Sequence, residues 1–161
     1  MAKVNPVKYY LDKNKHTINT GKFNRVNFEI SNLTDSRIDK KFLKRAGGRI
    51  LKTLKIKIPE ISLAFINDAR MKSLNRKYRG RNRVTDVLTF DYGLPFSGQG
   101  EIFICLPQAK RQAKRIGHSL KKELAILLIH GILHLAGYND KTKRNYNKMV
   151  NKQNELCQKV I

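Results

Sequence analysis

The stretch ELAILLIHGILHLAGYND, from Glu123 to Asp140, contains the longest apolar run of this sequence. Its apolar residues would lie on every side of a helix, which is typical of a buried helix and not of a surface helix. Ser119 can cap the start of this helix. Gly137 predicts where the helix ends, because glycine adopts the left-handed conformation that follows a helix at little cost. The run also contains two histidines, and a polar side chain in a buried helix needs a partner.

His130 and His134 are four residues apart, so they project from one face of the predicted helix, one turn apart. This spacing allows two imidazoles to bind one metal ion. Beyond the turn at Gly137, Asp140 is a third possible ligand. Three protein ligands and one open position are typical of a catalytic zinc site. The alternative is a pair of core histidines bonded to neighbouring groups, which the spacing and the nearby acid disfavour.

The charge of the chain is strongly positive. Its 161 residues include 34 Lys and Arg against 12 Asp and Glu, which gives a formal net charge of +22. The length fits one domain with a sizeable core. So large a cationic excess attracts polyanions, and nucleic acid is the first partner class to consider. An anionic membrane surface is the alternative, but the sequence shows no basic amphipathic helix with an aromatic anchor.

Residues 1–24 are polar, basic and aperiodic, and we interpret them as a basic N-terminal extension that adds to RNA affinity. Residues 25–161 would then form a single hydrolase domain. The N-terminus lacks the apolar core of a signal peptide. The apolar run Leu124–Ala136 is too short to span a membrane. We therefore expect a cytoplasmic monomer without a membrane partner.

Apolar periodicity predicts intermixed strands and helices without an internal repeat. Strands are predicted around Val26–Ile30, Ile61–Phe65, Val84–Asp91 and Glu101–Cys105, and the last two are expected to pair as a hairpin. Helices are predicted for Ile38–Leu54, for a short segment that begins at Asn67 or Asp68, and for Gln108–Ile116. After the histidine helix, a last helix is expected to pack Tyr146, Met149, Val150, Cys157 and Val160 on the core.

Four segments resemble the YbeY family of endoribonucleases, in the family's order and spacing. HGILHLAGYND resembles the family signature HGxLHLxGYDH, and TDVLTF resembles the family segment TDVLSF. YRG and GEIFIC also have counterparts in the family. The four segments begin at His130, Thr85, Tyr78 and Gly100. Two positions depart from the family pattern, because Asp140 replaces a third metal-binding histidine and Glu101 replaces the usual aspartate.

The resemblance, which begins at about Val26, implies an α/β fold of the α+β type, zincin-like, with a small mixed four-stranded sheet covered by helices. Its metal site would lie at the end of a buried helix, where His130, His134 and Asp140 would hold one zinc ion or another divalent transition metal. The implied activity is that of a single-strand-specific, metal-dependent endoribonuclease. It would mature the 3′ end of small-subunit ribosomal RNA and act in ribosome quality control. The implied partners are the ribosomal RNA precursor and the small ribosomal subunit.

The histidine helix also resembles the HExxH helix of zinc proteases, but Gly131 occupies the position of their catalytic glutamate. The general base of that mechanism is therefore missing, which disfavours a peptidase. Phosphodiester cleavage needs positive charge where negative charge develops, and arginine grips phosphate oxygens in pairs. The YRG segment singles out Arg79 as the catalytic arginine, although a surface cation is the alternative. Arg76, Arg81 and Arg83 are candidates for contact with the RNA backbone.

Two acidic residues are candidates for supporting the metal ligands. Glu123 lies two turns before His130 on nearly the same helix face, where it could be the hydrogen-bond partner of a ligand. A capping or surface role is the alternative. Asp86 could orient a loop or a histidine, and a hydrogen bond at the end of a strand is the alternative. We assign Glu101 no catalytic role and do not count His118 among the metal ligands.

Three functional hypotheses remain. The first is the metal-dependent endoribonuclease that the resemblance implies. The second is an RNA-binding or ribosome-binding protein whose metal is structural, which would have a protein group at the fourth coordination position. The third is a zincin-type metallopeptidase, which both Gly131 and the positive charge disfavour.

Overall fold

The computed structural model describes residues 27–56, 58, 60–92 and 99–161. Within these ranges it contains four strands and five helices. In chain order they are β1 (Asn27–Asn32), α1 (Lys40–Leu54), β2 (Glu60–Ile66), α2 (Asp68–Arg79), β3 (Val87–Asp91), β4 (Gln99–Cys105), α3 (Leu106–Ile116), α4 (Leu120–Leu135) and α5 (Lys143–Val160). The predicted order of strands and helices is confirmed. The predicted N-terminal extension, residues 1–24, lies outside the described residues.

The strands form one mixed sheet with the order β1-β2-β4-β3. β1 pairs with β2, and β2 with β4, in parallel, whereas β3 and β4 are antiparallel. The predicted mixed four-stranded sheet and the predicted pairing of β3 with β4 are both confirmed. β3 begins at Val87 and not at Val84. At its first residue, the Val87 N–H donates a hydrogen bond to the side chain of Asp86 at 2.8 Å. That side chain takes the place of a strand partner at the first residue of β3.

The two faces of the sheet are covered unequally. On one face, Ile102 and Ile104 of β4 belong to a large apolar cluster to which α1, α3, α4 and α5 contribute. On the other face, Phe103 and Cys105 pack in a smaller cluster with residues of α2. This alternation along β4 follows from the two-residue period of a strand. The histidine helix α4 therefore lies in the thicker layer, and five of its apolar side chains are completely inaccessible or nearly so.

Two glycines allow α4 and β4 to approach closely. A Cβ atom on Gly131 would lie 2.9 Å from Cγ2 of Ile102, and one on Gly100 would lie 2.5 Å from Cδ1 of Leu135. Both distances are shorter than ordinary van der Waals contact. Gly131 is therefore required by packing, and a glutamate at this position, as in HExxH proteins, would push the helix away from the sheet.

The two ends of α4 are formed as the sequence predicts. The side chain of Ser119 accepts a hydrogen bond from the Lys122 N–H, which caps the first turn. The helix ends at Leu135. Gly137 adopts a φ of 88°, in the left-handed region that glycine adopts more easily than other residues. The chain then returns through a short connection to α5.

The core-facing residues of α5 differ in part from the prediction. Met149, Leu156 and Val160 are buried, but Tyr146 is 54% exposed. Tyr146 lies in the first turn of α5, before the apolar stripe begins at Met149, so the prediction for this side chain is wrong. Among the described residues, we find no helix that is long and apolar enough to cross a membrane.

Candidate metal centre

His130 and His134 lie next to each other on α4, as their spacing predicts. Their Nε2 atoms are 3.1 Å apart, and their ring centroids are 4.7 Å apart with an interplanar angle of 78°. Both side chains are partly buried, while the helical residues between them are fully buried. The Nε2 atoms of the two rings therefore point to one position at the surface of the apolar core.

The other nitrogen of each ring is bonded to a separate partner. Nδ1 of His134 lies 3.1 Å from the carbonyl oxygen of Tyr138, and Nδ1 of His130 lies 3.0 Å from Oε1 of Gln153. A carbonyl oxygen only accepts hydrogen bonds, so Nδ1 of His134 donates and Nε2 of the neutral ring has a free lone pair. Metal-binding histidines typically hold their outer N–H in this way.

The charge state of His134 also suits a metal ligand. Burial lowers the pKa of His134, the neighbouring His130 lowers it further, and the positive charge of Arg79 adds to the same effect. Asp140 and the Tyr138 carbonyl act in the opposite direction. A lowered pKa favours the neutral imidazole, which is the form that binds metals.

The donor set fits a zinc ion in distance as well as in type. Two nitrogens on one tetrahedral zinc ion, each about 2.0–2.1 Å from the metal, would be about 3.3–3.4 Å apart. The observed 3.1 Å between the Nε2 atoms of His130 and His134 is close to this value. A small opening of the pair would therefore accommodate the ion without a change of helix or rotamer.

Asp140, the predicted third ligand, is near the histidines but does not complete the site. Among the residues that the structure describes, no three His, Cys, Asp or Glu side chains are close enough together to hold a metal ion. Asp140 is exposed in the connection between α4 and α5, and its charge acts on His134. Next to it, Asn139 Oδ1 accepts hydrogen bonds from the Lys141 N–H and the Asn145 side chain, which braces this connection.

Arg79 is the last residue of α2, and its side chain reaches β3. Its guanidinium donates a hydrogen bond to the carbonyl oxygen of Thr89 at 3.2 Å. The same cation is close enough to His134 to lower the pKa of that ring. Gly80 then ends the helix with a φ of 65°. The structure therefore places an exposed arginine near His134, where its positive charge acts on the ring.

The other three arginines of this region are exposed and available to a polyanion. They are Arg76 in the last turn of α2 and Arg81 and Arg83 in the following connection. Asn75, which sequence analysis did not identify, holds this connection in place. It is only 3% exposed, its side chain donates to the Arg83 carbonyl at 2.8 Å, and its own carbonyl accepts from the Arg81 N–H.

Glu123, predicted to support the metal ligands, has a different partner. Its carboxylate lies 3.0 Å from Nε2 of His118. Seven residues correspond to about 10 Å along a helix, which is too far for a hydrogen bond between Glu123 and His130. Burial raises the pKa of Glu123, although the nearby His118 acts against this shift. We therefore correct the prediction, because Glu123 belongs to the start of α4 and not to the histidine pair.

Asp86 likewise has partners away from the metal centre. Its carboxylate accepts hydrogen bonds from the Val87 N–H, from the Thr85 hydroxyl and from the Gln112 side chain at 2.9 Å. The alternative that we considered, a hydrogen bond at the end of a strand, describes this residue correctly. Asp86 joins β3 to α3 and does not orient a histidine.

The outer edge of β3 is partly occupied by side chains. The Cys105 N–H donates to the Asp86 carbonyl, so the alternation of an antiparallel pair turns the backbone groups of Val87 and Thr89 away from β4. On that side, the Val87 N–H is bonded to the Asp86 carboxylate, and the Thr89 carbonyl is bonded to Arg79. Such capping blocks the addition of another strand.

The two groups that sequence analysis missed at this centre come from α5 and from the backbone. Gln153 lies on α5, 23 residues after His130, and the Tyr138 carbonyl follows the turn at Gly137. A backbone acceptor has no signal in a sequence. Gln153 did have a sequence signal, because it is a polar residue four positions after Met149, on the face of α5 that packs on the core.

Comparison with known proteins identifies the family. The family model described as Endoribonuclease YbeY matches residues 25–161. A protein of Persephonella marina named Endoribonuclease YbeY is 40% identical over 134 residues, which cover 80% of this chain and 88% of that protein. A protein of the same name from Sulfurihydrogenibium sp. is 39% identical over 117 residues, covering 70% of this chain and 77% of that protein.

A solved structure agrees with this result. The solution structure of TM1509 from Thermotoga maritima matches this fold with a TM-score of 0.61 and 29% sequence identity. The match covers 83% of this chain and 88% of the Thermotoga protein. The family model extends over the histidine helix and the sheet, and the relatives carry the same name, so the resemblance found in the four sequence segments is confirmed: this chain belongs to the Endoribonuclease YbeY family.

Proposed function

We propose that this chain is a metal-dependent endoribonuclease that cleaves single-stranded RNA. The relatives carry the name endoribonuclease, and the net charge of +22 suits a nucleic-acid substrate. The observation that carries the proposal is the pair of Nε2 atoms, 3.1 Å apart on His130 and His134, with Arg79 beside them. This arrangement supports a metal position and a phosphate-binding cation at one place.

His130 and His134 would hold one zinc ion or another divalent transition metal, and we propose Asp140 as the third ligand. Zinc accepts carboxylate oxygen at about the same distance as imidazole nitrogen, so Asp is a sound replacement for the family's histidine. The charge of Asp140 acts on His134, which supports this assignment. When bound, the metal would supply an activated water and neutralise negative charge on a phosphate.

Arg79 would hold the scissile phosphate at this position. A divalent ion with one carboxylate ligand has a net charge of only about +1, and the attack on a phosphodiester adds negative charge. The planar guanidinium donates to two phosphate oxygens at once. Its hydrogen bond to the Thr89 carbonyl uses one nitrogen and fixes the direction of the side chain, which leaves the other nitrogens for the substrate. Arg76, Arg81 and Arg83 would contact the RNA backbone around it.

We propose ribosomal RNA as the substrate, because the resemblance to the family implies it. The chain would act in the cytoplasm on the precursor of small-subunit RNA, near its 3′ end, in ribosome maturation and quality control. The small ribosomal subunit would be its partner, and the chain would act as a monomer.

Two structural observations disfavour a metallopeptidase. Zinc peptidases of the HExxH type use a glutamate where this chain has Gly131, and the 2.9 Å approach to Ile102 leaves no room for a side chain there. In addition, an extended peptide would have to pair with the free edge of β3, where Arg79 and Asp86 already occupy the backbone groups of Thr89 and Val87.

An RNA-binding protein with a structural metal is the second hypothesis. Structural zinc sites are closed by four protein ligands. The candidate ligands in the described part of the chain are three, His130, His134 and Asp140, and each of them is at least partly exposed. This feature favours a catalytic metal over a structural one.

The test is cleavage of a ribosomal RNA precursor by metal-loaded full-length protein. The matched control is His130→Ala from the same preparation protocol, which removes one ligand and excludes a contaminating nuclease. We expect discrete cleavage by the wild type and none by the variant. Equal cleavage by both proteins, or RNA binding without cleavage at any metal loading, would reject the proposed activity.

A further inference from the structure

We propose that Gln153 is the positioning residue of His130: its amide oxygen holds the imidazole with the proton on Nδ1 and leaves Nε2 free for the metal. This inference rests on the metal site of the proposed function, and it adds a residue from α5 to that site. The hydrogen bond that carries it joins Nδ1 of His130 and Oε1 of Gln153 at 3.0 Å.

The chemistry of the two groups gives the direction of this bond. An amide oxygen only accepts, so Nδ1 must be the donor, and the neutral ring then has its lone pair on Nε2. His134 has the same arrangement through the Tyr138 carbonyl at 3.1 Å. The two free lone pairs face each other across 3.1 Å. Such a pair repels itself and is stabilised by a cation between the two nitrogens.

The packing of α5 explains why Gln153 can impose an orientation. Met149 and Leu156, one turn before and one turn after it, are 2% and 0% exposed, so the backbone at Gln153 is held against the core. The hydrogen bond itself is partly buried. Water therefore competes less for the imidazole than it would at an exposed site, and the bond is correspondingly stronger.

The only acidic residue of α5 is paired away from Gln153. Glu155, two residues later, is bonded to both Lys152 at 2.8 Å and Lys159 at 2.7 Å. These two ion pairs hold its carboxylate on the exposed side of α5. The outer partner of His130 is consequently a neutral amide, where many zinc sites have a carboxylate. A neutral partner fixes the tautomer without adding negative charge to a site whose proposed third ligand, Asp140, is already an anion.

The first test reads the tautomer directly. In the full-length protein labelled with ¹⁵N, long-range ¹H–¹⁵N spectra report which nitrogen of each histidine carries the proton. The chain has four histidines, so single His→Gln variants assign the signals. We expect the neutral form of His130 to be protonated on Nδ1 in the wild type and to shift toward Nε2 in Gln153→Met. A wild-type His130 protonated on Nε2 would overturn the inference, because the amide would then donate and not accept.

The second test measures zinc affinity by competition with a chelator. Gln153→Met preserves the volume but removes the acceptor, and we expect zinc affinity to fall by about 10–100-fold, the scale found for partners of metal ligands. Gln153→Glu restores an acceptor, so its affinity should equal or exceed that of the wild type. Gln158→Met is the matched control, because Gln158 is an exposed glutamine on the same helix. We expect no change from it.

The remaining outcomes are also decisive. Unchanged zinc affinity in Gln153→Met, or the same loss in Gln153→Glu, would overturn the inference, since a mere packing role requires no acceptor. If Gln153→Met does not fold, the tautomer of His130 in the wild type and the zinc affinity of Gln153→Glu still test the inference. Neither test uses RNA cleavage. A protein that binds zinc through these residues but does not cut RNA would reject the proposed function and leave this inference intact.

Discussion

His130 and His134 are held by a helix in the middle of the core, whereas Asp140 lies in an exposed connection between two helices. Each histidine has its outer nitrogen bonded, to Gln153 or to the Tyr138 carbonyl. The carboxylate of Asp140 does not join them in a three-ligand group in the described part of the chain. The difference suggests that the helix determines where the metal binds, and that the connection determines how accessible the metal remains.

The largest expected effect, on both bound zinc and RNA cleavage, comes from substitution of a histidine on α4. His130→Ala should reduce bound zinc to background and abolish RNA cleavage, because the variant lacks one nitrogen of a pre-arranged pair. Elemental analysis and cleavage of a ribosomal RNA precursor measure the two effects. His118→Ala is a control, since His118 is paired with Glu123 at the start of α4. Full metal content in His130→Ala would mean that the helix does not determine the metal position.

The next effect concerns the cation beside the pair. Arg79→Ala should retain the metal and most of the RNA affinity, because many other cations remain, while the rate of cleavage falls by about a hundredfold or more. Arg79→Lys should rescue only in part, since lysine cannot bind two phosphate oxygens at once. Single-turnover kinetics separate rate from affinity.

Arg81→Ala provides the comparison for Arg79, because Arg81 is an exposed arginine in the adjoining connection. It should change affinity slightly and the rate hardly at all. If both variants lose affinity and rate to the same extent, Arg79 is a general RNA contact, and the hypothesis of a non-catalytic RNA-binding protein gains support.

Substitution of Asp140, on the exposed side of the site, should have a smaller effect on zinc binding than substitution of His130. Asp140→Ala should lower zinc affinity by at least as much as the loss of an outer partner, about 10–100-fold, and leave some metal bound, because water can replace a ligand from an exposed connection. A chelator competition assay measures the change. An affinity equal to that of the wild type would remove Asp140 from the site, whereas complete loss of zinc would show that the connection is as important as the helix.

Two glycine substitutions test how firmly α4 is held. Gly131→Ala should destabilise the protein by about 1–3 kcal/mol, because the new methyl group would meet the buried side chain of Ile102. Gly48→Ala in α1 should stabilise it by about 0.5–1 kcal/mol, because nothing lies within 4 Å and alanine is the better helix former. Urea denaturation gives both values. If Gly131→Ala stabilised the protein as Gly48→Ala does, α4 would not be in close contact with the sheet.

The smallest effect concerns residues 1–24, which carry five lysines and one aspartate. Their deletion should weaken RNA binding. It should also lower the slope of log affinity against log salt by about 0.7 for each phosphate that these residues neutralise in the full chain. Zinc content should not change. A deletion that unfolds the protein would show that our domain boundary is wrong, and a flat salt response of the full chain would contradict its affinity for polyanions.

Sequence analysis predicted the elements and the histidine pair because both are local patterns. The spacing of His130 and His134, the cap at Ser119 and the turn at Gly137 depend on residues that are neighbours along one helix. Helical periodicity brings such residues together whatever the rest of the fold does. The family segments then supplied Arg79, whose surroundings the structure describes.

The contacts that could not be predicted join distant parts of the chain. The distance from Gln153 to His130 depends on how α5 packs on α4, and the position of Asp140 depends on the path of a connection without regular structure. Glu123 shows the opposite error. It has a helical spacing that suits a partner of His130, but two turns of helix separate the side chains and His118 is nearer.

The proposed dependence of His130 on α5 also bears on when the metal centre would form. A chain is synthesised from its N-terminus, so His130 and His134 are made before Gln153, which follows them by 23 and 19 residues. Until α5 has been made and has folded back on α4, the ring of His130 is free to turn and its Nε2 is not held toward His134. On the proposed role of Gln153, the metal centre would therefore bind zinc about 10–100-fold more weakly until α5 is in place, so full activity would wait for the last helix of the chain.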